Sequence, residues 1–139
     1  MFGALETSTS GLVAQRIRLD TIAGNVANAW TTVDEQGNVS PYRRRVALFE
    51  AVAPRRGESA AGVRVARVVE DPSPPRLVYD PGHPHAARGG RYDGYVRYPN
   101  VDLGTEMVNA MVAARAYEAN IAAMQVTKSM MSASLRLLA

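Results

Sequence analysis

The side chains that could bind a metal ion lie close together in one loop. His83 and His85 are the only histidines of the chain, and Asp80 and Asp93 lie in the same stretch. Imidazole nitrogen and carboxylate oxygen both serve as ligands of Zn²⁺. The stretch is rich in Pro and Gly, however, and nothing in it fixes the relative positions of these four side chains. We therefore expect no metal site and no cofactor.

The residues that could support catalysis are equally sparse. The segment 89–94 is rich in glycine, but it lacks the Gly-Lys-Ser/Thr ending and the following helix of a phosphate-binding loop. No hydroxyl nucleophile has a recognisable neighbouring base, and the chain contains no cysteine. The acidic residues of the middle region are interpreted as solvated charges, namely Glu50, Glu58, Glu70 and Asp71. We expect no catalytic residues and no enzymatic activity.

A run of arginines is the feature that best suits nucleic-acid binding. The run covers residues 43–45, a pair follows at Arg55 and Arg56, and the formal net charge is +3. Alternation in a strand would place Arg44 on the face opposite to Arg43 and Arg45, which divides the cluster. A subunit contact or a solvated strand is the favoured interpretation, and a self-contained basic α+β domain that binds nucleic acid or another partner is the alternative.

Two amides near the end of the first predicted helix offer polar chemistry of another kind. Asn25 and Asn28 are three residues apart and therefore share a helical face. In one reading Asn28 takes a left-handed position after the helix, while Asn25 bonds backbone carbonyls. In the other reading both amides pair across a helix–helix contact and fix its register, as buried polar residues do in coiled coils.

The elements that must position these side chains are dominated by a long C-terminal helix. Steps of four and three residues from Leu103 reach apolar side chains throughout, except at Lys128, and neither Pro nor Gly follows Gly104. This seam is typical of a coiled coil, and the helix would be about 54 Å long. Further apolar residues lie outside the seam, namely Val108, Met111, Val112 and Met130. The helix belongs either to an ordinary globular domain or to an assembly in which other chains cover it.

Residues 3–29 carry a second, weaker seam, in which Leu5, Leu12, Leu19 and Val26 recur every seven residues. The helix begins either near residue 3 or near Ser10, since Gly11 disfavours a helix that runs through it. Between the helices, strands are predicted at 42–52, 63–69, 76–79 and 95–98, with a bulge after Val65. Asp102 is predicted to cap the last helix, and Glu106 to complement the dipole of its first turn.

The overall composition fits this plan. With 139 residues, 47% of them hydrophobic and only 6% aromatic, the chain is expected to form one domain with a thin core. The sequence shows neither a cleavable signal peptide nor an apolar run of the roughly 20 residues that a membrane span needs. The predicted fold is α+β, with two long terminal helices, antiparallel and coiled-coil-like, flanking a small β-rich middle region.

Several segments along the chain, taken in order, match the motifs of one known family. They are Asn25-Val26-Ala27-Asn28 near the end of the first helix, Pro41-Tyr42-Arg43-Arg44 after it, and then the segments 77–84, 94–102, 106–109, 114–120 and 128–130. The first resembles the signature of flagellar axial proteins, and the second follows where that family places an aromatic residue. Together the segments resemble the flagellar basal-body rod protein family, and in particular its proximal-rod members. The loop 86–93 is longer and more basic than usual, and Gly104-Thr105 softens the first turn of the last helix.

The resemblance implies a structural protein without enzymatic activity, which polymerises helically into the rod and transmits torque from motor to hook. Residues 1–30 and 101–139 would form the inner tube, and residues 31–100 an outer β-rich region. Expected partners are copies of itself, other rod and axial proteins and the type III export apparatus, with no nucleic acid and no membrane insertion. The expected subunit-interface residues are Leu5, Leu12, Leu19, Ile22, Asn25, Val26, Asn28, Leu103, Met107, Tyr117, Asn120, Ile121, Met124, Met131, Leu135 and Leu138.

Overall fold

Two antiparallel helices form the long axis of the molecule. The computed structural model describes residues 2–53 and 62–138, with side chains from residue 3 to residue 136 within those ranges. Helix α1 spans Phe2–Ala27 and helix α2 spans Leu103–Leu138. Asn25 contacts Glu106 near one end of the pair, and Gly11 lies against Asn120 further along. The predicted α+β fold with paired terminal helices is confirmed.

The middle region consists of two antiparallel hairpins. Strands β1 (Arg45–Val52) and β2 (Gly62–Glu70) form the first, and β3 (Arg76–Tyr79) and β4 (Tyr95–Tyr98) form the second. Leu48 pairs with Arg67 and Phe49 with Val65, which leaves Ala66 unpaired on β2. The predicted bulge after Val65 is therefore confirmed. The first strand begins three residues later than predicted, at Arg45 instead of Tyr42.

The helices pack closely because small residues lie between them. Gly11 and Ala14 of α1 and Ala113 of α2 are buried. A Cβ atom at Gly11 would lie 2.8 Å from the Asn120 side-chain nitrogen, so this glycine permits the close approach of the two backbones. The helix runs through Gly11 from Phe2, and the alternative start near Ser10 is wrong. The core is thin, since alanines and small aliphatic residues supply most of its apolar side chains.

Local hydrogen bonds fix where the second helix begins. Asp102 accepts a hydrogen bond from the Thr105 backbone N–H at 2.7 Å, which confirms the predicted N-cap. This bonding to Thr105 is the main reason why the pKa of Asp102 lies below its ordinary value. Over the described residues, neither α1 nor α2 contains an apolar run long enough to cross a lipid bilayer.

Candidate functional site

The side chain of Asn25 lies at the point where both helices meet the first hairpin. Its Nδ2 donates hydrogen bonds to the Arg45 carbonyl at 2.8 Å and to Glu106 Oε2 at 3.0 Å. Its Oδ1 accepts hydrogen bonds from the Arg45 backbone N–H at 2.8 Å and from the Tyr42 hydroxyl at 3.0 Å. The residue is 1% exposed, and these contacts use both donors and both acceptors of the amide.

Glu106 carries a buried carboxylate at the same point. Its side chain is fully buried, and Oε1 accepts from Arg44 Nε at 2.8 Å and Nη2 at 2.7 Å. The remaining nitrogen of the guanidinium group, Nη1, lies 3.3 Å from Asp71 Oδ2. Burial alone would lower the pKa of Arg44, but the hydrogen bonds and charge of Glu106, with a contribution from Asp71, raise it above its ordinary value. The arginine is thus held as a cation between two carboxylates.

We call this cluster of Asn25, Tyr42, Arg44, Asp71 and Glu106 the polar joint. It joins α1 and α2 to the residues that directly precede β1 and directly follow β2, through contacts within the chain. Backbone bonds strengthen it, because the Asp71 N–H donates to the Arg44 carbonyl at 2.8 Å. Burial raises the pKa of the Tyr42 hydroxyl, which keeps it a hydrogen-bond donor. The joint is one place that attaches the first hairpin to α1, and another is Ser10, whose hydroxyl accepts a hydrogen bond from the Val63 N–H at 3.1 Å.

One interpretation made from the sequence is corrected by this cluster. Asp71 is not simply a solvated charge, since it is paired with Arg44. Glu106 lies in the first turn of α2, as expected, but its side chain is also buried against Arg44. Two sequence signals pointed to the cluster. One is the reading in which Asn25 pairs across a helix–helix contact, which it does here with Glu106 of the same chain. The other is the alternation that separates Arg44 from its neighbours, since Arg43 and Arg45 are exposed and Arg44 is not.

Asn28 closes the end of α1 in a different way from either reading of the sequence. No described residue other than glycine has a positive φ, so Asn28 does not adopt the left-handed position. Its Nδ2 donates to the Gly24 carbonyl at 2.9 Å, and its Oδ1 accepts from the Thr31 hydroxyl at 3.2 Å. Asn25 crosses from one helix to the other, whereas Asn28 bonds within its own helix end.

The leucine and methionine stripes lie beside the helix–helix contact and not at its centre. On α1 the buried residues are Gly11, Ala14, Ile22 and Asn25. Gly11 and Asn25 each come one residue before a member of the predicted stripe, Leu12 and Val26, and Ile22 is the one predicted interface residue of α1 besides Asn25 that is itself buried. On α2 the buried Glu106 likewise precedes Met107, which is 69% exposed. One residue corresponds to about 100° around a helix, so each stripe is rotated away from the partner helix. Because the helices are antiparallel, both stripes turn toward the same side of the pair.

The two stripes meet there in an open apolar groove. Leu5 and Leu12 of α1 and Ile121 and Met124 of α2 form its walls, with Gln125 and Lys128 also lining it. Ile121 remains 36% exposed, and Leu5, Leu12 and Met124 are only partly buried. An exposed apolar groove with polar side chains at its rim is typical of a surface that binds another protein. We name these six residues the helix groove.

The remaining predicted interface residues divide into covered and open positions. Ile22 and Asn25 are buried, and Leu19, Asn28, Tyr117, Asn120 and Met131 are partly covered. Val26, Leu103, Met107 and Leu135 are exposed, and the side chain of Leu138 lies outside the described residues. A second apolar surface covers α2 on the side away from α1, formed by Val108, Met111 and Val112. No other described part of the chain covers it.

The histidine loop and the arginine run are the other candidate sites in the part of the chain that the structure describes. Within the described residues no group of His, Cys, Asp and Glu has metal-binding geometry. The two rings of the histidine loop contact each other edge to face, and His85 Nδ1 bonds the Thr32 hydroxyl at 2.8 Å. The arginine run makes no continuous basic patch, because its middle member points into the polar joint. Arg55, Arg56 and Glu58 lie outside the described residues.

Two family models match the chain, and they match its two helical ends. The model described as flagella basal body rod protein covers residues 5–32. The model described as flagellar basal body rod FlgEFG protein C-terminal covers residues 92–137. The matched segments contain both walls of the helix groove and the Asn25 and Glu106 side chains of the polar joint.

Curated relatives match over almost the whole chain. The flagellar basal-body rod protein FlgC of Yersinia enterocolitica is 42% identical over 137 residues, covering 99% of this chain and 97% of the relative. The FlgC proteins of Borreliella burgdorferi and Bacillus subtilis are 39% and 38% identical, over 99% and 98% of this chain and 97% of each relative. The similarity therefore includes both helices and the β region between them.

Proposed function

This chain belongs to the FlgC family of flagellar basal-body rod proteins, as a structural subunit of the rod, and we propose that it assembles through its two terminal helices. The helix groove carries this proposal. Two apolar stripes, one from each helix, are turned to the same side of the pair and remain partly exposed there. A helix from a neighbouring subunit has the shape and chemistry to fill such a groove.

The same geometry supports a division of the subunit into an inner and an outer part. We propose that residues 1–30 and 101–139 form the inner tube of the rod and that residues 31–100 lie outside it. The polar joint supports this arrangement, since it fixes the β region to one end of the helix pair by buried hydrogen bonds and ion pairs. Torque applied to the helices would then be resisted by packed side chains and not by a flexible hinge.

The partners proposed for the chain are copies of itself and other rod and axial proteins of the basal body. The two exposed apolar surfaces of α2, the helix groove and the surface on the side away from α1, support contacts with more than one neighbour. We propose export by the flagellar type III apparatus in an unfolded state, which a chain without cysteine suits because no disulfide has to be broken or formed. The role is mechanical, so we propose no catalytic step and no cofactor.

A single substitution in the groove tests the assembly role. Ile121→Asp places a carboxylate at a position that is partly exposed in the subunit and buried in the proposed assembly. The free energy of unfolding of the free subunit should change by no more than about 1 kcal/mol, because water solvates the new charge. Burial against a neighbour would cost several kcal/mol per subunit, about 2–5, so rods should fail to form.

The variant is expressed as the only copy of the protein, and rods are scored by electron microscopy of isolated basal bodies together with swimming in soft agar. Ile121→Leu is the matched control, because it keeps an apolar side chain of similar volume at the same position. Export is followed in parallel, so that a subunit that never leaves the cell is distinguished from one that does not assemble. Normal rods with Ile121→Asp would refute assembly through the groove.

A further inference from the structure

An aromatic cluster lies where α1 ends and the second hairpin begins. Trp30, the only tryptophan, meets Tyr98 edge to face with ring centroids 5.5 Å apart. The guanidinium carbon of Arg76 lies 5.1 Å from the Trp30 ring centroid and 5.7 Å from that of Tyr98. Arg76 and Tyr98 are directly opposed in the β3–β4 register, so the strand pairing itself brings the cation to the rings.

The guanidinium group has no polar partner in the described part of the chain. Its contacts are the two ring faces, which attract the cation but offer no strong hydrogen-bond acceptor. The charge of Arg76 helps to lower the pKa of Asp102. The Asp102 carboxylate, however, is bonded to the Thr105 N–H and not to Arg76. The five N–H donors of Arg76 thus remain available for another group.

The surroundings of this cation are those of a protein-binding surface. Trp30 is 60% exposed, which is unusual for so large an apolar side chain, and Arg76 is also exposed. Trp, Tyr and Arg are the residue types enriched among the side chains that dominate binding energy at protein interfaces. Stacking on two rings also restricts the arginine before any partner arrives, which reduces the entropy that binding costs.

We propose that Arg76, Trp30 and Tyr98 form a carboxylate-binding site for an aspartate or glutamate side chain of an adjacent rod subunit. The planar guanidinium would bind both carboxylate oxygens, while Trp30 covers the apolar stem of the acidic residue. Positive charge and unused donors on this surface call for an anionic partner group, and the aromatic rim favours one carried on a protein chain over a free anion. The proposal rests on the assembly role but concerns a surface separate from the helix groove.

The test begins with the assembled rod. A photo-crosslinking amino acid replaces Trp30, and basal bodies are isolated after illumination of cells that carry this chain as their only copy. Mass spectrometry should locate the crosslink in a second subunit, within a few residues of an exposed aspartate or glutamate. A crosslink to a segment without an acidic residue, or none at all in well-formed rods, would overturn the proposal.

Charge exchange then separates binding from folding. Arg76→Gln should reduce the yield of intact rods about tenfold, the change expected for losing one charge-assisted contact of ordinary strength. Arg76→Asp should reduce it further, and reversal of the crosslinked acid to arginine should restore rods in that background. A purely structural role of Arg76 in the hairpin predicts no such rescue, so a failed exchange overturns the proposal even if the single variants fold poorly.

Arg97→Gln is the matched control. Arg97 lies on the neighbouring strand opposite Leu77 and also stacks on a ring, that of Tyr92, at 5.9 Å. The Arg97→Gln substitution removes the same charge and the same kind of cation–ring contact as Arg76→Gln, but on the other face of the hairpin. Equal rod yields for Arg76→Gln and Arg97→Gln would refute the site. Because Ile121→Asp probes the groove independently, normal assembly with Arg76→Gln alone would remove the carboxylate site and leave the proposed function standing.

Discussion

Replacement of Asn25 by leucine should destabilise the isolated subunit strongly. Leucine has the branching and the number of side-chain heavy atoms of asparagine, but its methyl groups are bulkier than the amide, so the change removes the polar groups and also crowds the joint. The Arg45 backbone N–H and carbonyl lose their partners, as do the Tyr42 hydroxyl and Glu106 Oε2. These groups meet at a side chain that is 1% exposed, so water cannot replace the amide without opening the joint.

The magnitude follows from the number of groups left without a partner. A buried donor or acceptor that loses its hydrogen bond costs about 1–3 kcal/mol, so the two backbone groups of Arg45 alone account for about 2–6 kcal/mol. Glu106 keeps its ion pair with Arg44, and Tyr42 is only partly buried, so these two add less. A domain of this size is stable by about 5–15 kcal/mol in total, so Asn25→Leu should leave it marginal.

Urea unfolding of the purified monomer, followed by circular dichroism, measures the loss directly. Asn28→Ala is the matched control, three residues further along the chain and directly after the end of α1. Its amide bonds only the Gly24 carbonyl and the Thr31 hydroxyl, and the Asn28 backbone N–H continues to satisfy that carbonyl. The control should therefore lose only about 1 kcal/mol. Hydrogen exchange at the Arg45 amide should quicken in Asn25→Leu and stay unchanged in Asn28→Ala.

The unfolding free energies of Asn25→Leu and Asn28→Ala decide whether the hydrogen bonds of Asn25 hold the polar joint together. If Asn25→Leu costs no more than Asn28→Ala, the four bonds of Asn25 do not hold the joint, and the amide serves some other contact. A large loss of stability that leaves the Arg45 amide protected would also contradict the reasoning, because the damage would then lie elsewhere.

Two further predictions concern the hairpin and acid conditions. Gly94→Ala should lower the free energy of unfolding by about 2–4 kcal/mol, because φ is +77° there and a Cβ atom would lie 2.7 Å from the Tyr79 ring. Gly37→Ala is the control, since φ is +82° but the space around it is open, and it should cost only about 1–2 kcal/mol in the same urea assay. The pKa of Asp71 is lowered by hydrogen bonds from Ser73 and by Arg44, and that of Asp102 by Thr105, so both stabilise the fold above the ordinary value of 3.8. That stability should be lost as pH falls below about 3.8 through the folded-state pKa values, and melting temperatures that do not fall in this range would contradict it.

The architecture could be predicted because it depends on local signals. Heptad spacing identified both helices, Asp102 identified the start of the second, and the slip in alternation after Val65 identified the bulge. The Pro- and Gly-rich segments that bound them placed the last two strands at the residues where they occur. Each signal involves residues within a few positions of one another, so the sequence alone contains the information.

The polar joint could not be predicted, because its members are far apart in the chain. Arg44 and Glu106 are 62 residues apart, and Asn25 and Glu106 are 81 apart. A glutamate in the first turn of a helix is ordinarily a solvated residue that complements the dipole, so its local sequence gave no reason to bury it. Only the packing of α1 against α2 makes the same carboxylate the partner of an amide and a guanidinium.

The sequence by itself determined that each helix has an apolar stripe, since periodicity is a property of one helix. Only the tertiary structure decided which way the stripes face. Close contact at Gly11 and burial of Asn25 and Glu106 fix the rotation of the helices. The apolar stripes therefore line an open groove and do not lie in the contact between α1 and α2. A stripe defines a direction on its own helix, whereas the rotation of two helices about their axes depends on all the side chains between them, small and polar ones included.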